Sequence, residues 1–407
     1  MDPRRSRVWL IGPALLAVTA FLYGTGAGFP GQPYYDEVYH VPTARKVLLQ
    51  GYDTTNSHPL FGHMIMAACI RLFGDIPWSW RLPSLISALI ALWATGLLAW
   101  LFTGRMRVAV LAGLVLAVDG VTLTQARIGM LNSPMLALLL VSMCAALSTR
   151  RAGSGQDLRL VLAGVLLGMA IATRWVALGA WPVLLLLCGS RTLVRDRPIH
   201  AVKIAAYLVC APILVYALVH LPVLAAQGAD AALAFQKNIL LYHWTLDKGH
   251  TYGSRWWSWP LLLRPIWYFF ERNDADVRGI LCVGNPAVFW LLPAGLVGAW
   301  VAARRREAST RSLLLLAGIG LACLWLPWAL VGRVQFFHYY QTALPFTALL
   351  WAVALDSWLS AGKITRSAAW AVLALFVVCF VYWYPLWTGQ PLSYEAYRQR
   401  MLLKSWI

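Results

Sequence analysis

Carboxylates are scarce in this 407-residue chain: 16 Asp and Glu stand against 34 Lys and Arg, and all charged residues together make up only 12% of it. A soluble globular domain carries about a quarter. With 60% hydrophobic residues and a mean hydropathy of +0.64, the chain leaves the soluble class and reads as a multi-spanning membrane protein. It also lacks any Cys-x-x-Cys pair. The seven cysteines are odd in number and mostly sit in apolar runs (Cys144, Cys188, Cys210, Cys323, Cys379), which gives no disulfide or metal framework. No Gly-rich phosphate loop of the P-loop type occurs, which argues against an ATP-driven pump, and there is no internal repeat or low-complexity linker. No small-residue cleavage pattern follows Arg4, Arg5 and Arg7, so the first apolar segment is expected to be a retained anchor.

What is present is apolar length and aromatic content. Runs near 8–28, 83–103, 108–123, 131–148, 158–173, 175–189, 202–223, 280–302, 312–331, 339–357 and 367–386 predict about eleven spans, several of them marginally short. The 22 tryptophans and 16 tyrosines suit interfacial belts. A net charge of +18 could suggest nucleic acid, but its distribution explains it otherwise. Arg105, Arg107, Arg150, Arg151, the stretch from Arg191 to Lys203, Arg304 to Arg306, Lys363 and Arg366 fall in short loops on one side, the positive-inside pattern with a cytoplasmic amino terminus. The opposite side carries the longer loops, 29–82 and 224–279, and a site is expected there. The chain is read as one domain, 1–407.

The first outer loop holds Tyr34-Tyr35-Asp36-Glu37-Val38-Tyr39-His40. Two adjacent acids beside a membrane segment are either functional or an ordinary solvated pair. The same loop carries His58 and His63, five apart and so facing different ways on a helix, which disfavours a metal pair. Residues 60–73 are too few to span and are expected to lie in the interface or re-enter. Arg81 either anchors to headgroups or holds a phosphate. Asp119 and Arg127 read first as a structural salt bridge, and Arg174 with Trp175 is similar. The second long loop runs His243-Trp244-Thr245 through His250, Tyr252, Ser254, Trp256, Trp259 and Arg264-Pro265, either an aromatic belt or a cleft wall. Arg333 to Tyr340, with His338 and Tyr339, adds a further cation and imidazole on that side.

In this order the residues resemble the protein O-mannosyltransferase family of GT-C membrane glycosyltransferases, as a short bacterial-type member. The likeness rests on Asp36-Glu37, His58-Pro59, Arg81-Leu82-Pro83-Ser84, Ala126-Arg127 to Asn132, and Thr173-Arg174-Trp175-Val176. It continues through the His250 to Pro265 pattern, Gly284-Asn285-Pro286, Arg333 to Tyr339 and Pro345-Phe346. The resemblance implies an all-α polytopic GT-C fold with the active site on outer-face loops. It implies a polyprenyl-phosphate mannose donor, a Ser/Thr-bearing translocated protein as acceptor, and inversion at the anomeric carbon. Asp36 would be the catalytic base and Glu37 an acceptor-side contact. Arg81, Arg127, Arg174, Arg264 and Arg333 would be candidates for the donor phosphate. His58, His63, His243, His250, Tyr252, Ser254, Trp256, Trp259, His338 and Tyr339 would line the cleft. No cofactor is implied, although Asp36 and Glu37 could hold a divalent ion with water.

Two departures stand out. The family's His-Pro-Pro-Leu-x-Lys run reads His58-Pro59-Leu60-Phe61-Gly62-His63 here, with an imidazole in place of a lysine. The 224–279 loop is also too short for the β-trefoil module of the eukaryotic enzymes. A bacterial plasma membrane is the expected location. The rivals are a lipid-linked sugar transferase acting on a glycolipid, as aminoarabinose transferases do, and a transporter or flippase.

Overall fold

The computed structural model describes residues 3–148, 156–189, 198–245 and 249–407; Arg150, Arg151, Arg191, Asp247 and Lys248 lie outside the described residues. Helices end where glycine lets the chain turn back. Gly51 (φ +86°) closes α2 (Glu37–Gln50) and Gly104 (φ +64°) closes α4 (Pro77–Thr103), each donating its N–H to the carbonyl four residues earlier, Val47 and Trp100. Between them lies α3 (Phe61–Phe73), with a strongly one-sided apolar face packed on α2 and α4.

The core is built from helices that are apolar on every side. α4 packs on α5 (Met106–Ala117) and on α7 (Asn132–Ser148), and α7 packs on α8 (Gln156–Thr173). The helix Leu344–Leu359 lies against α5 and against Leu292–Arg305. Both Asn132–Ser148 and Leu344–Leu359 are buried along almost their whole length, so they face protein rather than lipid or water.

That distinction corrects the expected span count. Among the described residues only four helices are long and apolar enough to cross a membrane: Pro77–Thr103, Val202–Thr245, Ala308–Leu330 and Lys363–Thr388. A fifth is obtained if Met106–Ala117 and Gly120–Ala126, bent by 69°, count as one. About eleven spans were expected because hydropathy records exclusion from water, not continuity of the helix. The run 108–123 breaks at Asp119. The run 175–189 begins as a 3₁₀ turn, Trp175–Ala180, before the helix Trp181–Gly189. The run 280–302 starts in a strand and is interrupted at Asn285-Pro286.

The second long loop also differs from expectation. The helix Ala211–Thr245 continues into it past a break at Gly228 (φ +83°), so 224–245 is helical. Beyond it, β1 (Ile266–Arg272) and β2 (Val277–Cys282) form an antiparallel hairpin, irregular between Trp267 and Phe269, in a chain read as all-α. Asn273 closes the turn by accepting from the N–H groups of Ala275 (2.9 Å) and Asp276 (2.7 Å). Phe269 and Tyr268 of β1 pack on Tyr34 and Tyr35, which ties the hairpin to the acid-bearing loop.

Candidate active site

Asp36 and Glu37 are neighbours that point into different surroundings. Glu37 is fully buried and meets Arg81 in a bidentate pair, with Nε to Oε1 at 2.7 Å and Nη2 to Oε2 at 2.8 Å. The Gly129 N–H also donates to Glu37 Oε1 at 2.7 Å. A Cβ on Gly129 would lie 3.1 Å from the Trp80 carbonyl and 3.3 Å from that carboxylate oxygen, so any side chain there would crowd the pair by a few tenths of an ångström. Arg81 spends its other donors on the carbonyls of Ala27 (3.0 Å) and Gln32 (3.2 Å) and lies over the Tyr34 ring. Glu37 and Arg81 thus form a locked buried pair that fixes the start of α2.

Asp36, at the N-cap of that helix, makes no side-chain cap bond and is half-buried, its carboxyl without a hydrogen-bond or ion-pair partner among the described residues. Burial pushes its pKa up to about 6, against a smaller downward pull from the Arg174 guanidinium. The preceding Tyr35 has φ +50°, a left-handed conformation that costs about 1–3 kcal/mol for a bulky residue. Its ring is held by Tyr268 at 4.5 Å and edge-on to His338 at 6.1 Å. Asp36 lines a cavity of about 830 Å³ with His40, His58, His63 and the hydroxyl and amide groups of Thr43, Asn56 and Asn238.

The five outer arginines divide. Arg127 is buried and donates to the carbonyls of Tyr23 and Thr25, both at 2.6 Å. Asp119, expected as its partner, instead caps Gly120–Ala126 through Val121 and Thr122 and accepts from the Asn285 N–H at 3.1 Å, so no Asp119–Arg127 bridge forms. Arg264 is engaged with the carbonyls of Thr251 (2.9 Å) and Ser405 (2.7 Å). Arg174 and Arg333 remain, and they line one cavity of about 300 Å³ whose other walls are largely apolar, including Trp175, Leu324 and Trp328. Tyr339 lies between them, its ring 5.9 Å from Arg174 and 5.5 Å from Arg333 and stacked on Trp328 at 4.5 Å. Asn132 accepts from Arg174 and fixes its orientation.

His58 borders both cavities, the one containing Asp36 and the one containing the arginine pair. His40 Nδ1 and His63 Nε2 lie 3.1 Å apart, and His58 packs beside His40 and His243 at 5.7 and 5.1 Å. Burial pushes the pKa values of His40 and His58 well below the ordinary imidazole range, and that of His63 to about 4. These rings are therefore neutral near pH 7, and His63 brings no cation to the position where a lysine is expected. Among the described residues no group of three or more His, Cys, Asp or Glu side chains is arranged to hold a metal ion.

The two aromatic stretches far apart in sequence close one wall. Trp259 is buried against Trp328 and Tyr339, its indole N–H donates to Ser254 Oγ at 2.9 Å, and the Ser254 N–H donates to the Gln335 carbonyl. Trp256 meets Trp325 edge-on, and His250 meets Phe336. Tyr252 lies at the edge of this cluster, between His250 (5.8 Å) and Arg264. Sequence reasoning missed Tyr268, Asn132 and His40. His40 left a signal, being one helical turn beyond Asp36, and Asn132 closes a motif that carries the resemblance, whereas Tyr268 left none.

A helical membrane scaffold thus carries, on one face, an acid with no side-chain partner among the described residues and two arginines at a shared cavity. The chain superposes on the yeast protein O-mannosyltransferase Pmt1-Pmt2 complex bound to the sugar donor, with a TM-score of 0.85 at 15% identity over 98% of this chain and 92% of that one. It superposes on ArnT from Cupriavidus metallidurans with a TM-score of 0.67 at 18% identity, over 91% and 64% of the two chains. Two family models match: dolichyl-phosphate-mannose-protein mannosyltransferase over residues 57–216, and the C-terminal four-TMM region of protein O-mannosyltransferase over 230–406. The polyprenol-phosphate-mannose–protein mannosyltransferase of Mycobacterium tuberculosis is 25% identical, over 99% of this chain and 92% of its own length. That of Mycolicibacterium smegmatis is 26% identical, over 97% and 91%. The chain belongs to the protein O-mannosyltransferase family.

Proposed function

We propose that the chain is an inverting glycosyltransferase that moves mannose from a polyprenyl-phosphate donor to Ser or Thr hydroxyls of proteins. Family membership and fold carry the donor and acceptor classes. The observation that supports the residue roles is the meeting at His58 of two unlike cavities, one with an acid and hydroxyl groups, the other apolar with two arginines.

In this reading the lipid phosphate lies against Arg174 and Arg333 while the first isoprene units follow the apolar wall. Asp36, ionised, accepts the proton of the acceptor hydroxyl as its oxygen bonds to the anomeric carbon. The bond from that carbon to the phosphate oxygen breaks, and the electron pair leaves on the lipid phosphate. That phosphate needs no general acid because its second pKa is near 6. A base with cationic stabilisation of the leaving group is then sufficient, unlike the two carboxyl groups of glycosidases. His58, neutral and shared by both cavities, donates a hydrogen bond between them. Glu37, Arg81, Arg127 and Arg264 support the site through the contacts described.

The reaction requires no resident metal in this account, and the whole of 1–407 acts as one unit. The positive-inside pattern of Arg105, Arg107 and Arg304 to Arg306 supports a reading in which they face the cytoplasm at a bacterial plasma membrane and the site lies on the outer side. The test is transfer from radiolabelled polyprenyl-phosphate mannose to a Ser/Thr-rich peptide in detergent, with the wild type and a folded Asp36→Asn variant. Wild-type transfer lost by about a hundredfold or more in the variant is expected, the range for a general base being ~10²–10⁴. Full activity of Asp36→Asn would remove Asp36 from the mechanism. Label passing to lipid and not peptide would favour a glycolipid acceptor.

A further inference from the structure

Beyond the two cavities already used lies a third, of about 620 Å³, on the other side of Arg333. It is lined by His250, Arg255, Trp256, Trp257 and Arg333, with Gly249, Gly253 and Gly332 leaving room for backbone to approach. Among the described lining residues there is no carboxylate. Arg255 is exposed, and its guanidinium has no protein partner among the described residues. Its backbone is pinned, since its carbonyl accepts from both the N–H (2.9 Å) and the hydroxyl (2.7 Å) of Ser258. Among the described residues Arg333 reaches the Tyr339 hydroxyl, at 3.4 Å, and lies over that ring. His250 Nδ1 accepts from the Tyr252 N–H at 3.1 Å, which leaves the ring's proton on Nε2 as a donor. The Arg255 guanidinium and the His250 N–H, with no acid among the described lining residues, suit an anion, with Arg333 at the border shared with the donor cavity, and guanidinium matches carboxylate in bidentate fashion.

The cavity is joined to the base by a row of rings. Tyr35, the neighbour of Asp36, meets His338 at 6.1 Å; His338 stacks with Phe336 at 5.8 Å; Phe336 meets His250 at 5.0 Å. An extended polypeptide covers such a path in about five residues, at ~3.3 Å each. We infer that this cavity is an acceptor subsite that binds an Asp or Glu side chain located within about five residues of the modified Ser or Thr. The inference rests on the mannosyl-transfer reading and adds to it a sequence preference in the acceptor.

The test compares two peptides with one Thr, differing only in a Glu or a Gln four residues from it, using the intact protein and polyprenyl-phosphate mannose. For the wild type, kcat/KM for the Glu peptide should exceed that for the Gln peptide by about tenfold, the scale of one charge-assisted bidentate contact. Arg255→Gln should bring this ratio close to one, and Arg255→Glu should reverse it in favour of a Lys peptide. Because each ratio is taken within one protein, a general loss of activity does not mimic the effect. A wild-type ratio near one with robust transfer overturns the subsite and leaves the transferase reading intact. An Arg255→Gln effect on the KM of the lipid donor, with the peptide ratio kept, assigns the cavity to the donor phosphate and also overturns it. Transfer to neither peptide refutes the transferase reading and the subsite together.

Discussion

Asp36 and Glu37 differ in what they contact, not in chemistry. Glu37 has its charge neutralised and both oxygens occupied, whereas Asp36 has no such partner among the described residues and burial lifts its pKa to about 6. A base works only when ionised, so kcat/KM should rise with pH through about 6 and fall roughly tenfold per unit below it. A rate profile flat between pH 5 and 7 would exclude Asp36 as the titrating base. For Glu37 the expected phenotype is structural. Arg81→Met leaves a buried carboxylate without its partner and should cost ~3–5 kcal/mol in detergent unfolding, while Arg81→Met with Glu37→Leu should recover much of the loss. Equal destabilisation by the single and double variants would show that the pair is not the stabilising unit.

At the scale of elements, the β1–β2 hairpin holds the acid loop. Tyr268 stacks on the strained Tyr35, and its hydroxyl accepts from Gln125. Tyr268→Ala should release Tyr35 and with it the setting of Asp36, lowering kcat by about tenfold or more with little change in donor KM, the pattern of lost positioning. A change confined to donor KM would place the hairpin at the lipid instead. The hairpin could not be read from sequence because Ile266–Cys282 alternates poorly. Residues of β2 are buried almost throughout and so look like the start of an apolar run. Asp119 could be read as ending a span, but not its partners, because it caps its own helix and accepts from Asn285, 166 residues away.

At the scale of the molecule, the face opposite the site is held by Asp356. It is almost fully buried and accepts from Arg105 and Arg107, each at 2.6 Å, with Arg306 at 3.8 Å. Asp356→Asn should lower thermal stability by ~2–3 kcal/mol, since three guanidinium groups lose their shared anion, and should leave donor and peptide KM unchanged. A selective rise in KM would reveal coupling between the two faces.

The amino-acid sequence by itself determined that this is a membrane protein and which acids are candidates. Those follow from composition and charge placement, and charges in a largely apolar chain are conspicuous. It also carried the family resemblance, through short motifs in order. Tertiary structure decided which arginine meets which partner. Arg81 closes on Glu37 across 44 positions and Arg174 joins Arg333 at a shared cavity, pairings that no local periodicity encodes. It likewise decided how many apolar runs become spanning helices, because hydropathy cannot distinguish burial in lipid from burial in protein.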